Sequence, residues 1–410
     1  MKKLILLLIL LIPFNIKALS YPTLHYENAI IYDITDKKVL YEYKSTDKKA
    51  IASLTKLMTI ITAIEYTENH NQEITYTEEM KSNVAWYASI AGLEVGKTYT
   101  FKDLLYGAML PSGADATVAL AYTASGSLDN FIKDMNILAK KIGMNNSNFV
   151  NVHGLDEDNH LSTAEDIKLL LEYSLNNKLF KEVYTTKEYT MSTGKKLKST
   201  VLKQGEKYNL DTNKIIGSKT GFTANAGLCI SVLMSDENHE IIIITLGAPS
   251  NENTPYNITD ALELIEYTAS NNNYQTIIEK NQFNKSLKIN LSNKTKYDIT
   301  STKEISLYLP NDYNKDDIKI DYQGAKTLSY KDKINTEIGT INYYYKDKLL
   351  TQEQIYLKET IKPSYKKILL ANKDKLILII ISILLIIFVP IILIIVRHKI
   401  RTHRKWVFIF

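Results

Sequence analysis

Residues 51–59 read I-A-S-L-T-K-L-M-T, from Ile51 to Thr59. Ser53 and Lys56 stand three positions apart at the front of an apolar-rich run, Leu54–Ile64, that scans as a helix. Residues i and i+3 share a helix face, so the lysine amine can reach the serine hydroxyl. Near a helix N-terminus the dipole and free N–H groups favour negative charge developing on the serine oxygen. A lysine crowded into such a place has its pKa lowered and can take the proton. The pair reads as a candidate acyl-enzyme nucleophile with its base.

Spacing alone does not single this pair out. Ser-x-x-Lys occurs four times: Ser45/Lys48, Ser53/Lys56, Ser192/Lys195 and Ser364/Lys367. The first sits in a polar loop, the third brackets the turn signal Thr193-Gly194, and the fourth follows a proline. Only Ser53/Lys56 opens a helical apolar run.

Working outward, Asn28–Asp33 and Val39–Tyr43 are strand-like and Ile34–Lys38 turns between them, which predicts a β-hairpin ahead of the helix. Trp86 and Tyr87 lie in a polar, mixed stretch; core packing and a cleft wall are both open to them, and the core is the expectation. Leu104–Leu110 leads into P-S-G-A-D, Pro111–Asp115, and then a helical run, Ala116–Ala124. Ser112 on this turn either projects into a cleft or caps the helix. Ser162-Thr163-Ala164-Glu165 reads as a capping box opening a helix to about Leu175. His153 and His160 flank the loop before it and are expected to order that loop. Lys219-Thr220-Gly221-Phe222 falls on a strand, followed by the β-branched pair Leu228–Leu233 and Ile241–Leu246 and a helix at Asp260–Tyr267. From about Leu287 to Ile361 short strand runs alternate with Asn-, Asp- and Lys-rich turns, the pattern of a small all-β domain.

The ends account for the charge. Lys2 and Lys3 precede an apolar run, Leu4–Phe14, and Ala18-Leu19-Ser20 suits a cleavage site, so residues 1–20 read as a signal peptide. Leu376–Val396 is a run of 21 residues without a charge, enough to cross a bilayer, and Pro390 is tolerable inside it. Arg397, Lys399, Arg401, Arg404 and Lys405 follow, so residues 397–410 read as a basic cytoplasmic tail with everything before the span outside. Setting aside the three lysines of the leader and the five basic residues of the tail leaves 42 basic residues against 45 acidic ones. The pI near 8.7 is therefore a matter of topology and does not argue for nucleic acid. Cys229 is the single cysteine, so no intrachain disulfide forms. The seven histidines show no metal-ligand spacing, and no metal or cofactor is expected.

Three elements now stand in order: Ser53-Leu54-Thr55-Lys56, Ser112-Gly113-Ala114 and Lys219-Thr220-Gly221. The set resembles the penicillin-interacting serine acyltransferases with their S-x-x-K, S-x-N and K-T-G motifs. It is most similar to the D-alanyl-D-alanine carboxypeptidases, the low-molecular-weight penicillin-binding proteins of the peptidase S11 type. A-S-L-T-K-L-M-T, P-S-G-x-D-A, G-L-D-x-x-x-H-x-S-T-A-x-D and G-S-K-T-G-F-T-x-x-A-G carry the likeness from about Asn28 to Tyr267. A weaker one, chiefly I-N-T-E-I-G-T-I-N-Y-Y-Y-K-D-K, covers the β region.

The resemblance implies an α+β fold. A β-lactamase/transpeptidase-like catalytic domain at 21–270, an antiparallel sheet flanked by helices, would precede a small all-β spacer domain at 271–365 and a transmembrane helix at 376–396. Ser53 would be acylated, Lys56 would take its proton, and Ser112 would relay a proton and help deacylation. Lys219 and Thr220 would hold the substrate carboxylate, Gly221 would let the strand approach, and the N–H groups of Ser53 and Phe222 would form the oxyanion hole. The substrates would be peptidoglycan stem peptides, with β-lactams as covalent inhibitors, acted on outside a single-pass membrane anchor. One departure stands out: Ala114 occupies the place where the family usually carries Asn. A catalytically silent wall-peptide binder of the same fold is the alternative that Ala114 supports. A β-lactamase shares two of the motifs but needs a water-positioning glutamate, which the stretch between Ser112 and Lys219 is not expected to supply.

Overall fold

The computed structural model describes residues 22, 24–236, 239–345 and 348–406. The expected signal peptide, 1–20, lies outside the described residues. Among the described residues the chain divides into two compact units. The first runs to Tyr274 and includes Tyr308–Tyr313; the second comprises Gln275–Leu307 and the chain from Asn314 onward.

The first unit is built on a five-stranded antiparallel sheet. Its strands are β1 (Asn28–Asp33), β2 (Lys38–Tyr43), β3 (Gly217–Thr223), β4 (Gly227–Asp236) and β5 (His239–Ala248), in the order β2-β1-β5-β4-β3. The hairpin read from residues 28–43 is β1–β2, with Ile31 opposite Tyr41. The sheet is covered on both faces, which is why the run Ile241–Ile244 is apolar at every position. Ile242 and Ile244 pack with Ile30 and Tyr32 in the larger core, whereas Ile241 and Ile243 pack with Ile31 and Ile230 in the smaller one. Side chains alternate across a strand, so an unbroken β-branched run needs two cores to receive it.

One helix, α1 (Thr55–Tyr66), is central to the larger core and is buried on every face from Thr55 to Ile64. Around it lie α2 (Phe101–Met109), α3 (Ala114–Ser125), α4 (Leu128–Lys141) and α5 (Ala164–Ser174). The smaller core is closed by α6 (Tyr256–Asn271) through Ile258, Ala261, Leu264 and Ile265. The cap of α5 differs from the sequence reading by one residue. Thr163 is the cap and accepts the Asp166 N–H at 3.0 Å, because the Ser162 N–H is already bonded to the Lys49 carbonyl. Trp86 and Tyr87 also depart from expectation: both are exposed. The core around α1 is filled without them, by Tyr76, Phe101, Phe131 and Phe149.

The second unit is all β until its last helices. Glu337–Tyr345 pairs antiparallel with both Ile318–Gly324 and Lys348–Tyr356, and Asn284–Asn290 lies between Lys296–Thr300 and Thr327–Ser329. Leu287, Ile289, Ile299, Ile341 and Ile355 are among its buried aliphatics. The final helix, Lys373–Trp406, contains Pro390 and is exposed along its whole apolar stretch, long and apolar enough to cross a membrane.

Gly154 fixes how the 151–160 loop meets α1. Its φ is +86°, and a methyl group there would overlap the Ala52 carbonyl oxygen and press on Thr55 Oγ1. Gly154→Ala is expected to lower stability by about 1–3 kcal/mol through overpacking, with the left-handed φ adding about 1–2 more. A lowered midpoint of thermal unfolding in detergent would show this, and an unchanged midpoint would mean the loop moves away freely.

Candidate active site

Ser53 does not sit in α1 itself. It lies in a single 3₁₀ turn, Ala52–Leu54, that feeds directly into the helix. Ala52 has φ +47°, a conformation that disfavours any side chain, and Ser112 has φ +62°. Two non-glycine residues in the left-handed region store strain of order 1–3 kcal/mol each at this place. A relay of hydrogen bonds holds the turn. The Val150 N–H donates to His160 Nδ1 at 3.1 Å, which leaves the ring proton on Nε2 to donate to Thr55 Oγ1 at 2.7 Å. Thr55 Oγ1 in turn donates to the Ala52 carbonyl at 2.9 Å. Burial, with the positive charge of Lys56 nearby, keeps the imidazole neutral and pulls its pKa down to about 4.

Lys56 Nζ stands 2.9 Å from Ser53 Oγ and donates to the His153 carbonyl at 2.6 Å. The side chain is 3% exposed, and burial lowers its pKa to about 7, against a smaller upward pull from Asp115. At neutral pH a large share of the amine is therefore uncharged and able to take a proton. Lys219 Nζ donates to Ser112 Oγ at 2.9 Å and to the Thr220 carbonyl at 2.9 Å. It too is buried, and burial followed by repulsion from Lys56 holds its pKa well below the usual lysine range. Ser112 is thus a partner of Lys219 and does not cap α3, whose N-cap is Gly113 without a side-chain bond.

Gly221 brings β3 against the nucleophile turn. A Cβ on it would stand 3.0 Å from the Ser53 N and 3.1 Å from the Ile51 carbonyl. Any other residue would push the strand away from Ser53. Ser53, Lys56 and Phe222 line a cavity of about 380 Å³, and Ala114 lines it as well. Ser112, Lys219 and Thr220 are buried beside it, joined to the site through the Lys219–Ser112 bond. The fold thus brings Ser53 with Lys56, Ser112 and the Lys219–Phe222 segment together from three separate stretches of chain.

Two groups escaped sequence reading. Asp115 is 3% exposed, and its carboxylate accepts the N–H groups of Ala91, Gly92 and Leu93 at 2.7, 2.7 and 2.9 Å. An acid one turn inside a helix start is too common a pattern to announce a loop clamp. Asp156 joins the two walls of the cavity by accepting from Thr223 Oγ1 at 2.6 Å. One E-x-x-x-N spelling does occur between Ser112 and Lys219, at Glu172–Asn176, contrary to expectation. It starts in α5 with Glu172 paired to Tyr32, and neither Glu172 nor Asn176 lines the cavity. Asp33, Asp36 and His239 have ligand atoms within 4.8 Å of one another, but these atoms are engaged within the chain. Asp33 bonds His239 and two backbone N–H groups, and Asp36 takes the Tyr308 N–H.

Asp115→Ala leaves three loop N–H groups without an acceptor and is expected to cost about 3 kcal/mol or more of stability, with Asp115→Asn recovering part of it. Thermal inactivation of the detergent-solubilised protein would report the loss. Equal stability of the alanine variant and the parent would refute the clamp.

Residues 15–250 match the Peptidase_S11 family, described as D-alanyl-D-alanine carboxypeptidase, and residues 273–363 match the penicillin-binding protein 5 C-terminal domain. The D-alanyl-D-alanine carboxypeptidase DacF of Bacillus subtilis is 26% identical over 82% of this chain and 86% of its own length. The D-alanyl-D-alanine carboxypeptidase DacC of Escherichia coli is 32% identical over 54% of this chain and 56% of its own. The crystal structure of penicillin-binding protein 5 from Haemophilus influenzae shares the fold, with a TM-score of 0.67 at 21% identity over 83% of this chain and 99% of that one. Since the family match spans more than half of the 410 residues and contains the whole Ser53–Lys56–Ser112–Lys219 arrangement, the chain belongs to the D-alanyl-D-alanine carboxypeptidases of peptidase family S11.

Proposed function

We propose that this member removes the terminal D-alanine from peptidoglycan stem peptides through an acyl-enzyme at Ser53. The observation that carries the reading is the buried Lys56 amine, its pKa lowered to about 7, 2.9 Å from Ser53 Oγ. Ser53 Oγ attacks the carbonyl carbon of the penultimate D-alanine while its proton passes to Lys56. The resulting oxyanion is held by the Ser53 and Phe222 N–H groups, an interaction worth on the order of 3–4 kcal/mol per donor. The C–N bond then breaks, and the leaving D-alanine amine takes a proton through Ser112. A water hydrolyses the ester and returns Ser53 to its hydroxyl. Lys219 and Thr220 supply positive and hydrogen-bonding character for the substrate's terminal carboxylate. β-Lactams enter the same path and stop at the acyl stage.

The charge pattern supports the setting. The exposed apolar helix followed by Arg397 and Lys399 suits a single membrane anchor with the catalytic unit on the outer side. On this reading residues 21–270 are the catalytic domain, 271–365 a β spacer, 376–396 the span and 397–410 the cytoplasmic tail.

Labelled penicillin is expected to attach to the full chain, with Ser53→Ala abolishing attachment; label kept by that variant would refute the nucleophile. D-alanine release from a diacetyl-lysyl-D-alanyl-D-alanine peptide separates the enzyme from a silent binder. A protein that takes the label yet releases nothing would favour the binder.

The pH dependence follows from Lys56. Its amine must be neutral to accept the proton, and burial has lowered its pKa to about 7. The penicillin acylation rate should therefore rise with pH across this region and fall below it. The apparent midpoint belongs to the coupled Lys56–Lys219 pair. A flat profile between about pH 6 and about pH 8 would exclude Lys56 as the base.

A further inference from the structure

Trp86 is 93% exposed and Tyr87 64% exposed, and their rings meet edge to face with centroids 5.5 Å apart. Two large aromatic faces left in water forgo burial worth about 1.5–3 kcal/mol each, so their position asks for a use. Two independent observations tie the pair to the catalytic cavity. Tyr87 and the next two residues, Ala88 and Ser89, line the same space as Ser53. The loop that carries them is also rigidly held. Ala88 N–H bonds the Ala85 carbonyl at 3.0 Å, Ala114 N–H bonds the Ser89 carbonyl at 2.7 Å, and Asp115 clamps Ala91, Gly92 and Leu93. The backbone that carries the aromatic pair is thus preorganised, and the two rings brace each other edge to face.

We infer that Tyr87 and Trp86 form a specificity platform for the part of the substrate that does not react, namely a long methylene side chain on the residue preceding the D-alanyl-D-alanine pair. The inference rests on the proposed carboxypeptidase reading and names what that site selects. An extended peptide rises about 3.3 Å per residue, so the residue before the scissile pair lies within roughly 7 Å of the attacked carbonyl. Tyr87 borders the same cavity as Ser53, and this short reach favours a peptide side chain over a sugar further along the strand. Leu155 and Phe222, the latter 54% exposed, add apolar surface to the same cavity, while its carboxylate, Asp156, is engaged by Thr223 Oγ1. A polymethylene chain lying on an aromatic face there gains dispersion and burial without a directional partner. An apolar platform of this kind favours chain length and is indifferent to a terminal acetamide.

The test compares two peptides on the detergent-solubilised full chain: diacetyl-lysyl-D-alanyl-D-alanine and acetyl-alanyl-D-alanyl-D-alanine. Active sites are counted by bound penicillin, so a partly misfolded variant is corrected for. The parent is expected to prefer the lysyl peptide in kcat/KM by roughly tenfold, chiefly through KM, and Trp86→Ala with Tyr87→Ala to bring the ratio near one. Trp86→Phe should keep most of the preference. A ratio that stays the same in the double variant, whether or not both rates fall, would overturn the inference. If the parent takes penicillin but hydrolyses neither peptide, the carboxypeptidase reading fails separately. The platform is then judged by the ratio of affinities of the two peptides for Ser53→Ala protein, measured by quenching of tryptophan fluorescence. Equal affinities would refute it.

Discussion

A lysine amine shut away from water, its pKa lowered to about 7 by burial, is the constraint on which this structure turns. Lys56 is buried in the most central helix of the larger core, where an ammonium without an ion partner is disfavoured. Its neighbours are neutral acceptors, the Ser53 hydroxyl and the His153 carbonyl, and the nearest lysine of the site, Lys219, repels it. Everything that surrounds it serves to keep that arrangement dry and fixed. The His160–Thr55–Ala52 relay pins the turn, Gly154 admits the loop, and Gly221 admits the strand. His160, Gly154 and Gly221 each bring a piece of chain distant in sequence against the Ile51–Thr55 turn, so the site is as much a product of the sheet as of the helix.

The sheet explains why Lys219 and Thr220 lie where they do. β3 is an edge strand, paired only with β4 on one side. One face of it rests against the Ala52–Leu54 turn at Gly221. An unpaired strand edge offers backbone N–H and C=O groups to a peptide. On the proposed reading, placing this strand beside Ser53 lets one element provide both Lys219 for the substrate carboxylate and an edge along which an extended substrate can run.

Much of this was legible in the sequence, because it depends on local patterns. The hairpin, the apolar run after Ser53, the turn around Ser112 and the β-branched strands each announce themselves through periodicity or turn chemistry. What could not be read was set by tertiary packing. The α5 cap fell on Thr163 because a distant carbonyl at Lys49 had claimed the Ser162 N–H. Trp86 and Tyr87 are exposed because other rings fill the core, and composition says nothing about which aromatics win that competition. The Asp115 clamp was silent for a similar reason. Its partners are backbone groups, which carry no sequence signal.

Ala114 gains a different meaning once that clamp is seen. Its methyl group brings nothing polar to the cavity, but its N–H holds the Ser89 carbonyl, and its neighbour Asp115 holds three further groups of the same loop. The start of α3 therefore shapes the cavity through the loop it anchors, while Ser112 just before it holds Lys219. A side-chain amide at position 114 would add a contact at the reacting centre; the backbone at that position already fixes the wall that faces it. The departure from the family pattern thus removes one directional bond and leaves the shape of the cleft intact. This separation of shape from directional bonding is why a member lacking that amide can retain a built, lysine-activated serine.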